Sequence, residues 1–326
     1  MSEVRVRFVP RGRTSLSFSD FESAPSDVLS NQIEPTKSQM ERGRRLLLDR
    51  QVATAETPKN RLEVSLTRKE FSQIFQGSQL SNRSSQSRET ARLDVETLTQ
   101  HESYLSTNDL KVPEALQDAI AFAYIPRPVE YHSVLSIPPR ENLHYLRLSD
   151  VAMAMNAPRC HQQGLMGQKI RVAMADSGFW LHPHFIRSGA RLIPTESPGS
   201  GAATEDASGH GTGEAANIFA IAPQCTVYGV KHGGSSAGTL ETCIAQKPHV
   251  MTNSWGFNID HQTRESLRQS DRQMFNELLD LEQIISSAVD DGIAVLFSAG
   301  NGHLAFPASF PDVISVGGVT VTEACS

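Results

Sequence analysis

Residues 169–178 read KIRVAMADSG, a short apolar run that ends in an aspartate and two turn residues. A run of this kind is typical of a strand buried on both faces of a parallel sheet. Further runs of the same kind follow along the chain, and we predict a strand in each. They are TVYGVK (226–231), PHVMTNSWG (248–256), GIAVLFSAGNG (292–302) and VISVGGVTV (313–321).

A long segment with apolar residues at three- and four-residue steps separates the third run from the fourth. It covers about 266–290 and predicts a helix. Short buried strands that alternate with helices indicate an α/β fold, with a mainly parallel sheet flanked by helices. Functional loops in such sheets lie at the carboxyl ends of the strands. Asp176, Asn253–Gly256 and Asn301 all fall at such ends.

Three local patterns carry candidate chemistry: AMADSG with Asp176, SGHGTGEAA with His210, and VLFSAGNG with Asn301. Each pattern alone is also what an ordinary turn would look like. Together they supply a carboxylate, an imidazole and a side-chain amide. A carboxylate can orient an imidazole that acts as general base for a serine hydroxyl, and an amide can stabilise the resulting oxyanion.

The order of these three motifs resembles that of the subtilisin-like serine proteases. The resemblance spans roughly 145–321, about half of the chain, and several segments match the family in the same order. These are the lead-in to the Asp176 strand, IFAIAPQCTVYGVK (218–231), VMTNSWGF (250–257) and FPASFPDVISVGGV (306–319). The resemblance implies a subtilisin-like fold and a serine-type endopeptidase that cleaves peptide or protein substrates through an acyl-enzyme.

The resemblance also implies individual roles. Asp176 would orient His210, the general base and acid, and Asn301 would donate to the oxyanion. Ser254, Trp255 and Gly256 would form one wall of the P1 side-chain pocket, and Ser298, Ala299 and Gly300 the other. Ser236, Ala237 and Gly238 would form an extended segment that pairs with the substrate backbone. Ordinary strand-end turns are the alternative for these pocket residues.

The histidine motif departs from the family pattern, because it continues with Gly213 and Glu214 where the family usually has a second histidine and a small apolar residue. A glycine weakens the start of a helix, and Glu214 partly compensates through the helix dipole. Glu214 also places an anion near His210, which would raise the pKa of the imidazole.

The family's nucleophile lies in a Gly-Thr-Ser-x-Ala motif that opens a late helix, and no such motif follows Asn301. Neither Ser315 nor Ser326 has the right context. We therefore expect a catalytic domain that is incomplete at its C-terminus. Three explanations stay open: a fragment of a longer protease, one half of an enzyme whose serine comes from a second chain or fragment, or a pseudoprotease that binds peptides or regulates. We expect the 326 residues alone to be inactive.

Residues 1–140 form an N-terminal extension to the catalytic domain, which would cover 141–326. The extension could be an inhibitory prodomain, a module that recruits a client protein, or a partly disordered extension without a specific role. Its patterns predict mixed α and β elements between polar linkers. We expect an edge strand at 4–9, a loop at 14–39, a helix at 40–55, a strand and helix at 61–76, a mobile linker at 77–92, a helix at 113–122 and a strand at 129–139.

Bulk properties narrow the remaining choices. The net charge of −6 and the 6% aromatic content give no reason to expect a nucleic-acid partner. No apolar run has the length of a signal peptide or a membrane span, so we expect a cytoplasmic protein without membrane partners. The four cysteines have no metal-site spacing and are expected to be free thiols. We predict no metal site and no cofactor; family members often bind calcium, but no acidic cluster specifies a site here.

Overall fold

The computed structural model divides into two compact units. The N-terminal unit comprises Met1–Glu130, Ser235–Ala237 and Gln262–Ile284, and the parallel-sheet unit comprises Tyr131–Gly234, Gly238–His261 and Ile285–Ser326. The structure describes residues 3–12, 35–50, 52, 55–56, 61–84, 103–107, 110–132, 148–259, 262–301, 303 and 305–319. Across these ranges, no helix combines the length and the apolar character needed to span a membrane.

Some of the sequence predictions concern residues outside these described ranges. Most of the predicted loop (14–34), the second half of the predicted linker (85–92) and the end of the predicted strand (133–139) lie outside the described residues. Ser326 lies outside them too. Two predictions are wrong in their described parts: a helix begins at Lys37, inside the predicted loop, and Ser81–Ser84 of the predicted linker form a strand.

The N-terminal unit contains a four-stranded antiparallel sheet with the order β2-β3-β1-β6, and a separate pair, β4 and β5. The strands are β1 (Val4–Pro10), β2 (Ala55–Glu56), β3 (Leu62–Leu66), β4 (Ser81–Ser84), β5 (Ser103–Ser106) and β6 (Ile120–Tyr124). The prediction that residues 4–9 form an edge strand is wrong, because β1 pairs with β3 on one side and with β6 on the other.

Two helices pack on this sheet, and each begins at a capping box. Helix α1 (Lys37–Leu48) begins after Thr36, and helix α2 (Arg68–Ile74) begins after Thr67. In each case the threonine hydroxyl accepts from a backbone N–H one turn later, and a Gln or Glu side chain bonds back to the threonine N–H. The predicted strand-helix unit is confirmed, but the helix predicted over 40–55 ends at Leu48, and Ala55 belongs to β2. These elements share one apolar core that includes Phe8, Leu47, Phe71, Phe75 and Ile120.

The segment 113–122 was predicted to be a helix, and this is wrong. It forms a single 3₁₀ turn at Glu114–Leu116, and strand β6 begins at Ile120. All five residues of β6 are buried. A strand that is buried on both faces has a continuous apolar run, which the spacing of apolar residues cannot distinguish from a helix.

The predicted helix at 266–290 consists of two helices, α8 (Arg264–Ser270) and α9 (Arg272–Asp290). Asp271 separates them: its backbone is extended (φ −151°), and its carboxylate accepts a hydrogen bond of 3.2 Å from the N–H of Met274. Both carboxylate oxygens of Asp271 also lie 2.6 Å from Nη2 of Arg127. An aspartate at this position is a good N-cap for the second helix.

A buried ionic cluster joins the antiparallel sheet to α9 within the N-terminal unit. The Asp280 carboxylate accepts hydrogen bonds from Nε of Arg7 (2.7 Å), Nε of Arg61 (2.8 Å) and the hydroxyl of Tyr124 (2.8 Å). Arg7 also contacts Glu63 at 2.6 Å. Both arginines and Asp280 are fully buried. Arg7 is therefore an inward-facing residue of a central strand, although this strand was predicted to lie at an edge.

The parallel-sheet unit contains a six-stranded parallel sheet with the order β15-β13-β11-β8-β10-β9. All five predicted strands are confirmed, and β9 was not predicted, because its segment RLIPTE has neither an apolar run nor alternation. The strands of this sheet are β8 (Arg171–Asp176), β9 (Arg191–Glu196), β10 (Thr226–Lys231), β11 (Val250–Asn253), β13 (Ala294–Ser298) and β15 (Ile314–Val316).

Helices flank this sheet, and the predicted α/β fold is confirmed. Between α2 and α8 the chain forms α3 (Leu148–Ala154), α4 (Pro158–Gln162), α5 (Pro183–Ser188), α6 (His210–Ile221) and α7 (Ser236–Ala245). A small second sheet has the order β14-β12-β7, with β7 (Glu130–Tyr131), β12 (Trp255–Asn258) and β14 (Ala305–Phe306). Cys160, Cys225 and Cys243 are free thiols.

Candidate active site

The parallel register brings the candidate residues to one edge of the sheet. Ala175 lies opposite Asn253, and Asn253 lies opposite Phe297. The residue that follows each of these three positions therefore lies at the same level of the carboxyl edge. These residues are Asp176, Ser254 and Ser298, one from each of the three segments that the sequence singled out.

Asp176 and His210 form a hydrogen-bonded pair at this edge. Nδ1 of His210 lies 2.7 Å from Oδ1 of Asp176. The Asp176 side chain is fully buried, and that of His210 is only 6% exposed. Nε2 of His210 has no hydrogen-bond partner among the described residues. The geometry therefore holds the imidazole by one nitrogen and leaves the other able to accept a proton.

Glycine is required next to the histidine. A β-carbon on Gly211 would lie 2.3 Å from the carbonyl oxygen of Gly178 and 2.9 Å from Cβ of Asp176. Real β-carbons do not approach other atoms so closely, so a larger residue would push the first turn of α6 away from β8. The N–H of Gly211 also donates to Oγ of Ser177 (3.1 Å). Gly211 of the HGT motif thus allows α6 to lie close to β8. The distance between Asp176 and His210 depends on this close packing.

Asp206 supports the start of α6, and sequence reasoning missed it. Its carboxylate accepts from the hydroxyl of Ser177 (2.7 Å), from the N–H of Gly209 (3.0 Å), and from both the N–H (2.9 Å) and the hydroxyl (2.6 Å) of Thr212. An acidic residue shortly before a helix start interacts favourably with the helix dipole, and this pattern could have identified Asp206. Asp206 positions the loop that carries His210.

The pair and its neighbours shift the proton affinities of both groups. Burial raises the pKa of Asp176, and hydrogen bonds from His210 and Ser177 oppose that rise. Burial alone would lower the pKa of His210, but its hydrogen bond to Asp176 and the charges of Asp176, Glu214 and Asp206 outweigh burial and raise it. The protonated imidazole, which forms when a nucleophile is deprotonated, is therefore stabilised.

Glu214→Gln is expected to lower the pKa of His210. Oε1 of Glu214 lies 4.0 Å from Nε2 of His210, and the glutamine removes the anion that favours the imidazolium. Titration of the His210 ring protons by NMR in the 326-residue chain measures this change. Glu265→Gln, on the exposed surface of α8, is the control and should leave the titration unchanged. An unchanged or higher pKa in Glu214→Gln would show that Glu214 does not contribute to the field at His210.

The two predicted pocket walls are adjacent at the sheet edge. Ser254 lies between β11 and β12, Ser298 is the last residue of β13, and Ala299 and Gly300 follow it. The side chain of Trp255, which was predicted to line one wall, is fully buried and packs edge-on against Phe297 at 5.0 Å. Its backbone, and not its indole, is available to line the pocket.

Asn301 is exposed and comes directly after Gly300, whose φ of +104° turns the chain away from the sheet. A β-carbon on Gly300 would lie 2.7 Å from the carbonyl oxygen of His303. This turn requires a glycine. It places the Asn301 amide just beyond the carboxyl edge of β13, two strands away from Asp176 in the sheet order.

The expectation of an extended segment at Ser236–Gly238 is wrong, because these residues form the first turn of α7. Just before this helix, the N–H of Gly233 donates to Oγ1 of Thr239 (3.2 Å). A β-carbon on Gly233 would lie 2.3 Å from the carbonyl oxygen of Pro198. The run GGSSAG contains no sequence signal that marks where α7 begins.

Tyr131 and His132 also lie at this site, which the sequence did not indicate. The N–H of His132 donates to the carbonyl oxygen of Ser254 (2.8 Å), and Nδ1 lies 2.6 Å from Oγ of Ser298. The ring of Tyr131 lies 5.3 Å from the ring of His210. A peptide segment of the chain itself is thus bound along the predicted substrate walls, beside the candidate base.

Comparisons with known proteins agree with this geometry. A sequence profile of the subtilase family matches residues 167–325. We call this matched segment, which is similar to the subtilase family, the subtilase domain. Subtilisin Savinase from Lederbergia lenta is 31% identical over 176 residues, which cover 50% of this chain and 60% of that protein. Subtilisin E from Bacillus subtilis is 29% identical over 191 residues, which cover 51% and 45% respectively. The chain thus spans 45% to 60% of the length of these two relatives.

A solved structure shows the same fold over nearly the whole chain. The epidermin leader peptide processing serine protease from Staphylococcus aureus superposes with a TM-score of 0.54 at 11% identity, covering 96% of this chain and 70% of that chain. The predicted resemblance to subtilisin-like serine proteases is confirmed. The roles of Asp176, His210 and Asn301 stay predictions from the motifs.

Proposed function

We propose that the subtilase domain hydrolyses peptide bonds as a serine-type endopeptidase. The observation that carries this proposal is the Asp176–His210 pair, with Nδ1 bound to the carboxylate at 2.7 Å and Nε2 unpartnered among the described residues. Asp176 fixes the tautomer in which Nε2 can accept a proton. An imidazole held in this way can deprotonate a serine hydroxyl and later return the proton to the leaving amine.

The proposal assigns the nucleophilic serine to polypeptide outside these 326 residues, because no Gly-Thr-Ser-x-Ala segment follows Asn301 in the sequence. That polypeptide is either a continuation of the same chain or a second chain. The 326 residues alone should then show no practical proteolysis. Without the nucleophile, the remaining groups retain at most about 10³- to 10⁴-fold acceleration over water.

Asn301→Ala is expected to reduce kcat by roughly 10²- to 10³-fold, because it removes one donor to the oxyanion of the tetrahedral intermediate. The measurement is peptide hydrolysis by the complete enzyme, which combines this chain with the serine-bearing polypeptide. Asn82→Ala, on the exposed surface of the N-terminal unit, is the matched control and should keep normal turnover. A near-normal kcat for Asn301→Ala would show that Asn301 does not donate to the oxyanion.

We also propose that the N-terminal unit acts as a prodomain. Tyr131 and His132, which follow it directly in sequence, occupy the predicted substrate walls of the subtilase domain. A segment bound in this position would exclude other peptides from the cleft. The proposed reaction requires no cofactor, and the described ranges contain no group of His, Cys, Asp or Glu residues suited to a metal ion.

A pseudoprotease that holds a peptide in the same cleft is the second candidate. The bound Tyr131–His132 segment favours it, because peptide binding needs only the walls and not the base. The two candidates differ in their dependence on His210. Peptide binding at normal affinity by His210→Ala, together with no hydrolysis by any form of the protein, would favour the pseudoprotease.

A further inference from the structure

We infer that the pocket formed by Ser254–Gly256 and Ser298–Gly300 is selective for a histidine side chain, and that the favoured substrates carry an aromatic residue followed by histidine on the acyl side of the cleaved bond. The inference rests on the proposed peptide cleft. The inference specifies the class of peptide that the cleft binds. Tyr131–His132 is a segment of this class within the chain itself.

The backbone of His132 is held as a substrate backbone would be. Its N–H donates to the carbonyl oxygen of Ser254 (2.8 Å). Tyr131 belongs to β7, which is the neighbour of β12 in the small sheet. Strand addition of this kind fixes the direction and depth of a bound peptide. It also fixes which side chain enters the pocket.

The imidazole of His132 fits the pocket on three sides. Nδ1 lies 2.6 Å from Oγ of Ser298, a hydroxyl that can donate or accept and so can serve either tautomer. A β-carbon on Gly256 would lie 2.9 Å from Cε1 of the ring, so the glycine leaves the space that the ring fills. The ring of His303 meets it edge-on at a centroid distance of 5.5 Å.

The pocket holds the neutral form of the ring. Burial lowers the pKa of His132 to about 4, with further lowering from the charges of His303 and His210 and an opposing hydrogen bond at Ser298. The same surroundings disfavour an arginine or lysine side chain, because its permanent charge would be partly buried beside two histidines. An alanine would fill none of the space and would lose the hydrogen bond to Ser298.

The preceding position is also shaped for an aromatic ring. Tyr131 lies between the rings of His210, at 5.3 Å, and His232, at 5.8 Å. His232 is itself fixed, because its ring packs edge-on against the buried Trp255 at 4.7 Å. Burial lowers the pKa of His232 to about 3, so this wall is uncharged. Aromatic pairs in these arrangements are favourable beyond the area that they bury.

The test is peptide binding, which does not depend on a nucleophile. Fluorescein-labelled Val-Glu-Tyr-His, the sequence of residues 129–132, is titrated against the 326-residue chain carrying His132→Ala, and fluorescence anisotropy gives Kd. Versions ending in Ala, Phe and Arg are compared with it. We expect Val-Glu-Tyr-His to bind about tenfold more tightly than the Ala and Arg peptides, since it adds one buried hydrogen bond and the packing of a ring.

Two further comparisons make the result specific. The chain with His132 intact should bind the same peptide at least about tenfold more weakly, because its own segment competes at high effective concentration. Adding Ser298→Ala to the His132→Ala chain should reduce the preference for His over Phe. A cooperative urea unfolding transition checks that this variant is folded.

The outcomes separate the inference from the proposed function. Equal affinities for the His, Ala, Phe and Arg peptides would overturn histidine selectivity while leaving a peptide cleft in place. Binding of none of the peptides to the His132→Ala chain would overturn both the inference and the cleft on which the proposed function depends. Tight binding of all peptides by the chain with His132 intact would show that Tyr131–His132 does not occupy the site.

Discussion

His210→Ala is expected to abolish peptide hydrolysis by the complete enzyme, with a loss in kcat of about 10⁶-fold, the loss known for removing the histidine of a subtilisin. The structure gives the reason: His210 is the imidazole that Asp176 holds at 2.7 Å, with Nε2 unpartnered among the described residues. Alanine leaves no group that can take the proton of the nucleophile. The measurement is single-turnover hydrolysis of a peptide substrate.

His184→Ala is the matched control for this prediction. His184 lies on the exposed surface of α5 and does not take part in the Asp176–His210 pair. We expect its turnover to stay within about twofold of the unaltered enzyme, because surface substitutions rarely disturb a distant site. Turnover by His210→Ala within tenfold of the unaltered enzyme would mean that another group is the general base.

Asp280→Asn is expected to destabilise the chain by about 3 to 5 kcal/mol, the range for breaking a buried ion pair by removing one partner. Asp280 bridges Nε of Arg7 and Nε of Arg61, and all three residues are fully buried. The asparagine keeps the shape of the side chain and removes its charge, so that two buried guanidinium groups lose their shared anion. Urea denaturation of the 326-residue chain measures the change in the free energy of unfolding.

The loss should depend on pH in a defined direction. Burial raises the pKa of Asp280, but the charges of Arg7 and Arg61 and their hydrogen bonds lower it by more, so that the net shift is downward. A carboxylate with a lowered pKa contributes stability above its unfolded pKa of about 3.9, and that contribution is lost as the pH falls through the folded pKa. The difference between the variant and the unaltered chain should therefore be full at neutral pH and shrink in strong acid.

Asp118→Asn provides the comparison for an exposed pair. Asp118 lies 3.2 Å from Arg42, and their side chains are 80% and 60% exposed. An exposed pair of this kind contributes about 0 to 1 kcal/mol. A loss of similar size in Asp280→Asn and Asp118→Asn would contradict the account of a buried cluster that holds the sheet to α9.

Local sequence patterns predicted most of the parallel-sheet unit, because each of its central strands is a short apolar run between turn residues. Asp176 and His210 could be found because each follows or opens such an element within a short motif. The same reasoning failed at β1 and β6. The strand that contains Arg7 was predicted to lie at an edge, but Arg7 is buried against Glu63 and against Asp280, which is 273 positions away in sequence.

The parts of the site that were missed depend on contacts over long sequence separations or on turn geometry. Tyr131 and His132 reach the site from a segment about 80 residues before His210, and nothing in their local sequence indicates a bound peptide. The start of α7 could not be located within the GGSSAG run, since serine and glycine are common both in turns and at helix starts. Asp206 is an acidic residue just before a helix, but its hydrogen bond with Ser177 could be found only in the folded structure.

Covalent labelling with a fluorophosphonate probe tests the central claim most directly. The protein is isolated, with everything bound to it, from cells that produce it, and the labelled peptide is identified by mass spectrometry. We predict a labelled serine in a Gly-Thr-Ser-x-Ala context, on polypeptide outside the 326 residues, and loss of that labelling in His210→Ala. Absence of any labelled serine, or labelling at a serine within the 326 residues, would contradict the account.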